Sequence, residues 1–232
     1  MTSATARFVE AAKSHFQMRP ALPLGRPISL GDVIQVTEGG QIVSIGTLED
    51  VLGVEVGEIL PPARGTSSQR ITSGDDVRFG VLAKGAASEL FPQVPSANAR
   101  VEIELSRGDS VFALVTKPRI ERLANPHRLH DPMRKAYFTD AWKPGYAVVV
   151  ELGTPQHVHV ILAKNADTKV MLEAGADVTL VGMDIADAAA SLHTQHTSKD
   201  VTEYRASGTP ILYNAIKVRQ KPLSGVTEVV PL

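Results

Sequence analysis

Any chemistry in this chain would have to come from histidine, carboxylate or hydroxyl groups, because its 232 residues include seven histidines and no cysteine. The missing thiols remove disulfides, thiolate metal sites and cysteine nucleophiles together, and point to a reducing cytoplasm. His157 and His159 alternate along a strand-like run, so both imidazoles project from one face at a separation that suits a shared metal ion. The acids that would complete such a site stand apart: Asp167 belongs to a turn, and the nearest downstream glutamate is Glu173. His127 with His130, and His193 with His196, have i, i+3 spacing and carry the same weak signal. Gly108-Asp109-Ser110 has the wording of a serine nucleophile, but it falls between two strand-like runs and no Asp-x-x-His follows near the C-terminus. With Arg107 it reads as a turn. Phosphate loops, dinucleotide fingerprints and paired-carboxylate constellations are absent from the sequence. These residue types imply a protein that is not an enzyme and holds no cofactor, with a metal-dependent enzyme on the His157 and His159 face as the least supported alternative.

The elements that would position these residues alternate between strand and helix. Apolar Phe8, Val9, Ala12 and Phe16 recur at helical spacing, giving an amphipathic helix over residues 4–16 that Pro20 and Pro23 end. Residues 28–54 read as a hairpin around Glu38-Gly39-Gly40, with Asp32, Glu38, Glu49, Asp50, Glu55 and Glu58 uninterrupted by any basic residue. Residues 60–74 are rich in Pro, Gly and Ser and read as a loop. Val101, Ile103 and Leu105 alternate with Arg100, Glu102 and Glu104, and Arg107-Gly108-Asp109 is expected to reverse this strand into residues 110–116 as a hairpin. Residues 117–143 turn helical and basic, with Arg119, Arg122, Arg128, Arg134, Lys135 and Lys143, and an apolar stripe of Leu129, Met133, Tyr137 and Trp142. Residues 145–182 hold strand-like runs joined by short turns such as Asn165-Ala166-Asp167 and read as a second long hairpin. A helix capped by Asp184, a polar stretch over residues 191–207 and a last strand over residues 210–219 complete the chain. The fold class is α+β, a twisted, mostly antiparallel sheet with long β-hairpins flanked by short helices. A net charge of −1 argues against a nucleic-acid partner. The N-terminal stretch lacks the apolar core of a signal peptide, and no run approaches the roughly 18 to 20 apolar residues of a spanning helix. Contact with a membrane would therefore use strands or a surface helix.

The order of these elements, with four stretches of local wording, resembles the pore-forming N-terminal domain of gasdermins. Ser29-Leu30-Gly31-Asp32-Val33-Ile34 is similar to that family's L-x-L-G-D-V-L strand entry, and residues 145–153, GYAVVVELG, to its Y-V-V-T-E-V-L strand. Residues 127–142 resemble the helical segment before that strand, and residues 208–219, GTPILYNAIKVR, its closing strand. The resemblance implies one pore-forming domain over residues 1–219, with residues 220–232 as a tail that is inhibitory. It further implies a cytoplasmic protein that moves to the membrane on activation, inserts hairpins over residues 77–116 and 146–181, and oligomerises with copies of itself into a β-barrel pore in a cell-death or defence response. Anionic membrane lipids would meet Arg7 and Lys13 of the first helix and Arg128, Arg134 and Lys135 of the basic segment. An activating protease would cut at Arg219 or Lys221, or a partner chain would act in its place. The N-terminal cysteine that bacterial members lipidate is missing here. A non-enzymatic binding or assembly module of the same fold class, using the acidic hairpin or the basic segment, is the alternative.

Overall fold

The computed structural model describes residues 3–64, 69–72, 77–81, 100–173, 194–197, 201–221 and 227–232. Helix α1 (Ala4–Phe16) buries Ala4, Phe8 and Ala12, the stripe set by its i, i+4 spacing. Strand β1 (Arg19–Pro20) leads to the hairpin of β2 (Asp32–Val36) and β3 (Ile42–Thr47), turned at residues 37–41. Helix α2 (Leu48–Leu52) is short but well terminated. Thr47 and Asp50 form a reciprocal capping box, and Gly53, at φ 62°, donates its N–H back to the carbonyls of Glu49 and Leu48.

The remaining strands follow one another along the chain in four stretches, here called arms. The first, residues 59–81, carries β4 (Ile59–Arg64), β5 (Gln69–Thr72) and β6 (Val77–Val81). The second, residues 100–123, carries β7 (Arg100–Leu105), β8 (Val111–Thr116) and β9 (Arg119–Leu123). A 3-10 turn (Pro126–Leu129) and helix α3 (His130–Phe138) separate it from the third arm, residues 146–173, with β10 (Tyr146–Thr154), β11 (His157–Ala163) and β12 (Thr168–Glu173). The fourth, residues 194–220, carries β13 (Thr194–Thr197), β14 (Val201–Ser207) and β15 (Leu212–Gln220), and β16 (Thr227–Pro231) follows.

Every strand pairing is antiparallel, and the arms keep one neighbour order. First pairs with second through β4 and β9, β5 and β8, and β6 and β7. Second pairs with third through β9 and β10, β8 and β11, and β7 and β12. Third pairs with fourth through β10 and β15, and β11 and β14.

The chain divides into two compact units, each built from three stretches. One comprises residues 1–15, 66–117 and 156–208, with the sheet β13-β14-β11-β8-β5 and the sheet β12-β7-β6. Val77, Ile103 and Leu105 of the smaller sheet share a buried cluster with Phe112, Leu114, Ile161 and Ala163 of the larger. The other unit comprises residues 16–65, 118–155 and 209–232 around the sheet β1-β15-β10-β2-β3, to which β16 adds beside β15, β9 beside β10 and β4 beside β9. Leu48, Leu129, Met133, Trp142, Val148 and Val218 pack in one of its two clusters. Gly153 is required where β10 meets β15, because a Cβ there would lie 2.9 Å from Leu212 Cβ.

The α+β class with antiparallel sheets and short helices agrees with the alternation in the sequence. Several local expectations do not hold. Residues 59–64 and 69–72 are strands instead of loop: Pro61 and Pro62 fall where the β4 register shifts, so the N–H they lack is not needed for a ladder bond. Residues 119–123 are strand β9, not helix. The polar stretch after residue 191 contains β13 and β14, which pair as a hairpin. Residues 107–109 do not close a hairpin of β7 and β8, which bond to other arms, and β10, β11 and β12 likewise run on as one arm without pairing with each other. The helix expected after Asp184 lies outside the described residues. Leu48→Ala, at a fully buried position, is expected to lower stability by roughly 2–5 kcal/mol while Leu48→Met costs less than about 1.5 kcal/mol, both read by chemical denaturation.

Candidate functional site

No group of three or more potential metal ligands comes together among the described residues. His159 is instead tied into a polar cluster across β11 and β14. Its Nε2 lies 2.7 Å from Glu203 Oε1, and Arg205 Nε donates to the same carboxylate oxygen at 2.8 Å. The Phe112 ring meets His159 edge-on at 6.4 Å between centroids. His157 faces the Ser207 hydroxyl at 2.9 Å through Nδ1. The two histidines that share a face are therefore both engaged with the fourth arm. Glu203 and Arg205 are the residues that spacing within one strand missed, although their alternation with Tyr204 and Ala206 was visible in VTEYRAS. His127 and His130 stack edge to face at 5.0 Å. His193 lies outside the described residues, and His196 sits opposite Glu203 in the β13–β14 register.

The alternation across these strands separates two surfaces. Val158, Val160 and Leu162 of β11 stand beside Val111, Ala113 and Val115 of β8 and Tyr204 and Ala206 of β14, a mostly apolar face that also takes Thr202 and Gln69. The opposite face carries His157, His159, Glu203, Arg205, Ser207, Thr116 and Arg70 among its apolar members. In the smaller sheet Arg78, Glu104 and Lys169 form a row of alternating charge across three strands.

The five basic residues expected at a lipid surface fall on three elements. Arg7 is half-buried and Lys13 exposed on α1, and both have polar partners. Arg134 and Lys135 are exposed on α3, next to Phe138, whose ring is 67% exposed. An aromatic ring beside two cations is the composition of an interfacial anchor, and Phe138 was not singled out from the sequence because its neighbour Tyr137 fitted the apolar stripe. Arg128 is placed differently: its guanidinium donates to the Glu55 carbonyl and covers Gly57, where a Cβ would collide with it. Two acids of the expected acidic face have local duties. Asp32 accepts from the Ser29 N–H at 2.7 Å, and burial raises its pKa, while Asp50 is held below the ordinary carboxylate range by the Thr47 hydroxyl and N–H that it caps.

Arg219 and Lys221 converge on Glu228 of β16, at 2.8 and 3.0 Å. Arg219 is itself within β15 and opposite Glu228 in register, whereas Lys221 follows the strand end. Pro222 follows Lys221 in the chain, whereas Gln220 follows Arg219. Hydrogen bonds first from Arg219 and then from Lys221 hold the Glu228 carboxyl below its usual pKa.

No family model matches the chain, and no curated protein matches it. Among solved structures it is similar to a bacterial gasdermin from Bradyrhizobium tropiciagri, at 14% identity and a TM-score of 0.34, over 97% of this chain and 90% of that one.

Two outcomes follow from the site. In a double-mutant cycle, His159→Ala and Glu203→Ala are expected to couple by about 1–2 kcal/mol in denaturant unfolding, since each leaves the other's polar atom without its partner. Because the Glu228 pKa is lowered on folding, its contribution is complete above the ordinary carboxylate range and is lost as pH falls through the lowered value. The melting temperature of the wild type should accordingly fall more steeply on acidification below about pH 5 than that of Glu228→Gln.

Proposed function

We propose that this chain is a gasdermin-like, non-enzymatic membrane-permeabilising protein whose four arms become the wall of a pore built from several copies. The observation that supports this reading most is the single neighbour order of the arms, kept through every sheet. Lipid contains no water to satisfy backbone groups, so strands enter it only when fully paired, and about 9 to 11 tilted residues are enough to cross. The second and third arms, residues 100–123 and 146–173, exceed that length; the strands of the second have partners on both sides, while β12 of the third pairs only with β7 among the described residues. The two sheets of the unit that holds β7, β8, β11 and β12 end at β5 and β13 and at β6 and β12 among the described residues. Edges of this kind can be satisfied in a bilayer only by a further copy and, eventually, by a closed ring.

Anionic lipid is the partner that the exposed cations favour. Arg134 and Lys135 flank the exposed Phe138, and Lys13 projects from α1. β16 pairs along β15, and cutting after Arg219 would separate it from that strand's chain, since the bond after Lys221 is to Pro222 and resists trypsin-like cleavage. We assign residues 220–232 an inhibitory role on that basis, with the protein moving from the cytoplasm to the membrane after the cut. No helix among the described residues is long and apolar enough to cross a membrane, so crossing would fall to strands.

Release of a trapped dye from vesicles containing phosphatidylserine, before and after brief treatment with a Lys/Arg-specific protease, tests the reading. Leakage that appears with cleavage and is absent from neutral vesicles is expected; intact vesicles under all conditions would refute it. Arg134→Gln with Lys135→Gln should weaken binding to the anionic vesicles roughly 10- to 30-fold, at about 1 kcal/mol for each cation near the surface.

A further inference from the structure

We infer that His159, Glu203 and Arg205 form an acid-sensitive lock on the packing of the two sheets of their unit, closed while the imidazole is neutral and loosened when it takes up a proton. The device belongs to the folded unit itself and does not depend on membrane action.

The two sheets meet through one face of β8 and β11. Phe112, Leu114, Ile161 and Ala163 of the larger sheet share a buried cluster with Val77, Ile103 and Leu105 of the smaller, and Val201 of β14 packs against it. His159 alternates with Ile161 along β11 and Glu203 with Val201 along β14, so both polar groups lie on the face that carries the cluster. The His159 side chain is only 11% exposed and that of Glu203 21%. Arg205 reaches them from the rim, at 40%.

The charge of this cluster turns on one proton. Glu203 Oε1 stands 2.7 Å from His159 Nε2 and accepts from Arg205 Nε at 2.8 Å. With a neutral imidazole, one carboxylate and one guanidinium cancel. Hydrogen bonds, first from His159 and then, against the cost of burial, from Arg205, hold the Glu203 carboxyl at a pKa of about 2, so the anion persists far into acid. Protonating His159 would set an imidazolium against a guanidinium whose Nε is 3.3 Å from its Nε2, with a single carboxylate for both. Two cations so placed repel, the more so away from water. Burial is the main cause that holds the His159 pKa below the ordinary histidine value; the bond and charge of Glu203 act the other way, and the Arg205 charge acts with burial. An imidazole facing a lone carboxylate would gain a proton readily. Arg205 is what converts an ion pair into a lock.

The elements around His159 offer no second anion among the described residues. β8 presents Phe112, Leu114 and Thr116 on this face, and the smaller sheet contributes Val77, Ile103, Leu105 and Val170. Glu104 alternates to the other side of the smaller sheet, in a row with Arg78 and Lys169. On β11 itself His157 is bonded through Nδ1 to the Ser207 hydroxyl, and burial lowers its pKa also. Arg70 of β5 stands opposite Leu114, and His196 of β13 opposite Glu203, and neither can bring negative charge.

Because the packed unit prefers the neutral ring, the opened form takes the proton first, at the ordinary histidine pKa of about 6.5. The stabilisation is complete above that value and is lost as pH falls from it to the lowered value of the packed state. Glu203 and Glu228, whose pKa values are lowered, titrate beneath this window.

Amide hydrogen exchange of the full-length chain, read by mass spectrometry on peptides covering β7 and β12 and corrected for intrinsic rates, tests the lock. Below about pH 6.5 the opening constant of the wild type is expected to rise by up to about tenfold per pH unit, the limit for uptake of one proton. Peptides of β10 and β15 in the other unit should stay level. The rise should be lost in His159→Gln, whose amide hydrogen-bonds and does not titrate, and in Arg205→Gln, which leaves His159 and Glu203 to pair as ions. A rise that survives undiminished in either folded variant overturns the inference. Where the variants do not fold, NMR titration of His159 in the wild type, assigned through its contact with the Phe112 ring, decides: a midpoint below about 6.5 upholds the lock, and one at or above it refutes it.

Discussion

The constraint on which the rest of the structure depends is the antiparallel register between the second and third arms. A shift of one residue in a strand pair exchanges its two faces, so register is what keeps His159 beside Glu203's strand and Ile103 inside its cluster. Here one register serves three successive pairings, β7 with β12, β8 with β11 and β9 with β10. The outer pairings are looser. The first arm shifts against the second within β4, at Pro61 and Pro62, and the fourth shifts against the third between Val149 and Glu151. Irregularity is thus confined to the flanks, and the central seam is regular.

A regular seam combined with the packing of the smaller sheet on the larger resolves an apparent excess of apolar residues. All six residues of β8 are buried, although an alternating strand needs only half of them inside. In the folded unit both demands are met, because the smaller sheet supplies Val77, Ile103 and Leu105 to cover Phe112 and Leu114. The cluster His159–Glu203–Arg205 borders that cover and interrupts what would otherwise be a continuous apolar surface. Two-sided burial in β8 and one-sided charge in β11 and β14 are consequences of the same alternation.

Legibility in the sequence followed the range of the interaction. α1, the β2–β3 turn, β7, β15 and the turn at residues 165–167 were readable because their signals are local: helical spacing, Gly-Gly, strict alternation. The pairings were not. Arg107-Gly108-Asp109 looks like a hairpin turn, and Asp109 does adopt a turn conformation, but the strands on either side bond to other arms, Leu105 to Val77 and Thr168 and Phe112 to Thr72 and Ile161. Pro61 and Pro62 hid β4, since proline is excluded from a ladder except at a shift in register, and no composition rule announces the shift. The partners of His159 were missed for the same reason: Glu203 and Arg205 are adjacent only once β14 is docked. Arg128, expected at an anionic lipid surface from its type, has its guanidinium over Gly57 and bonded to the Glu55 carbonyl.

Why the two sheets of the unit around β8 stay packed follows from these same contacts. Separating the sheets that share the cluster would expose Phe112, Leu114 and Ile161 together with Ile103 and Leu105, each at about 1.5–3 kcal/mol when fully transferred to water. No single ion pair repays a loss of that size, since even buried pairs contribute little net stability.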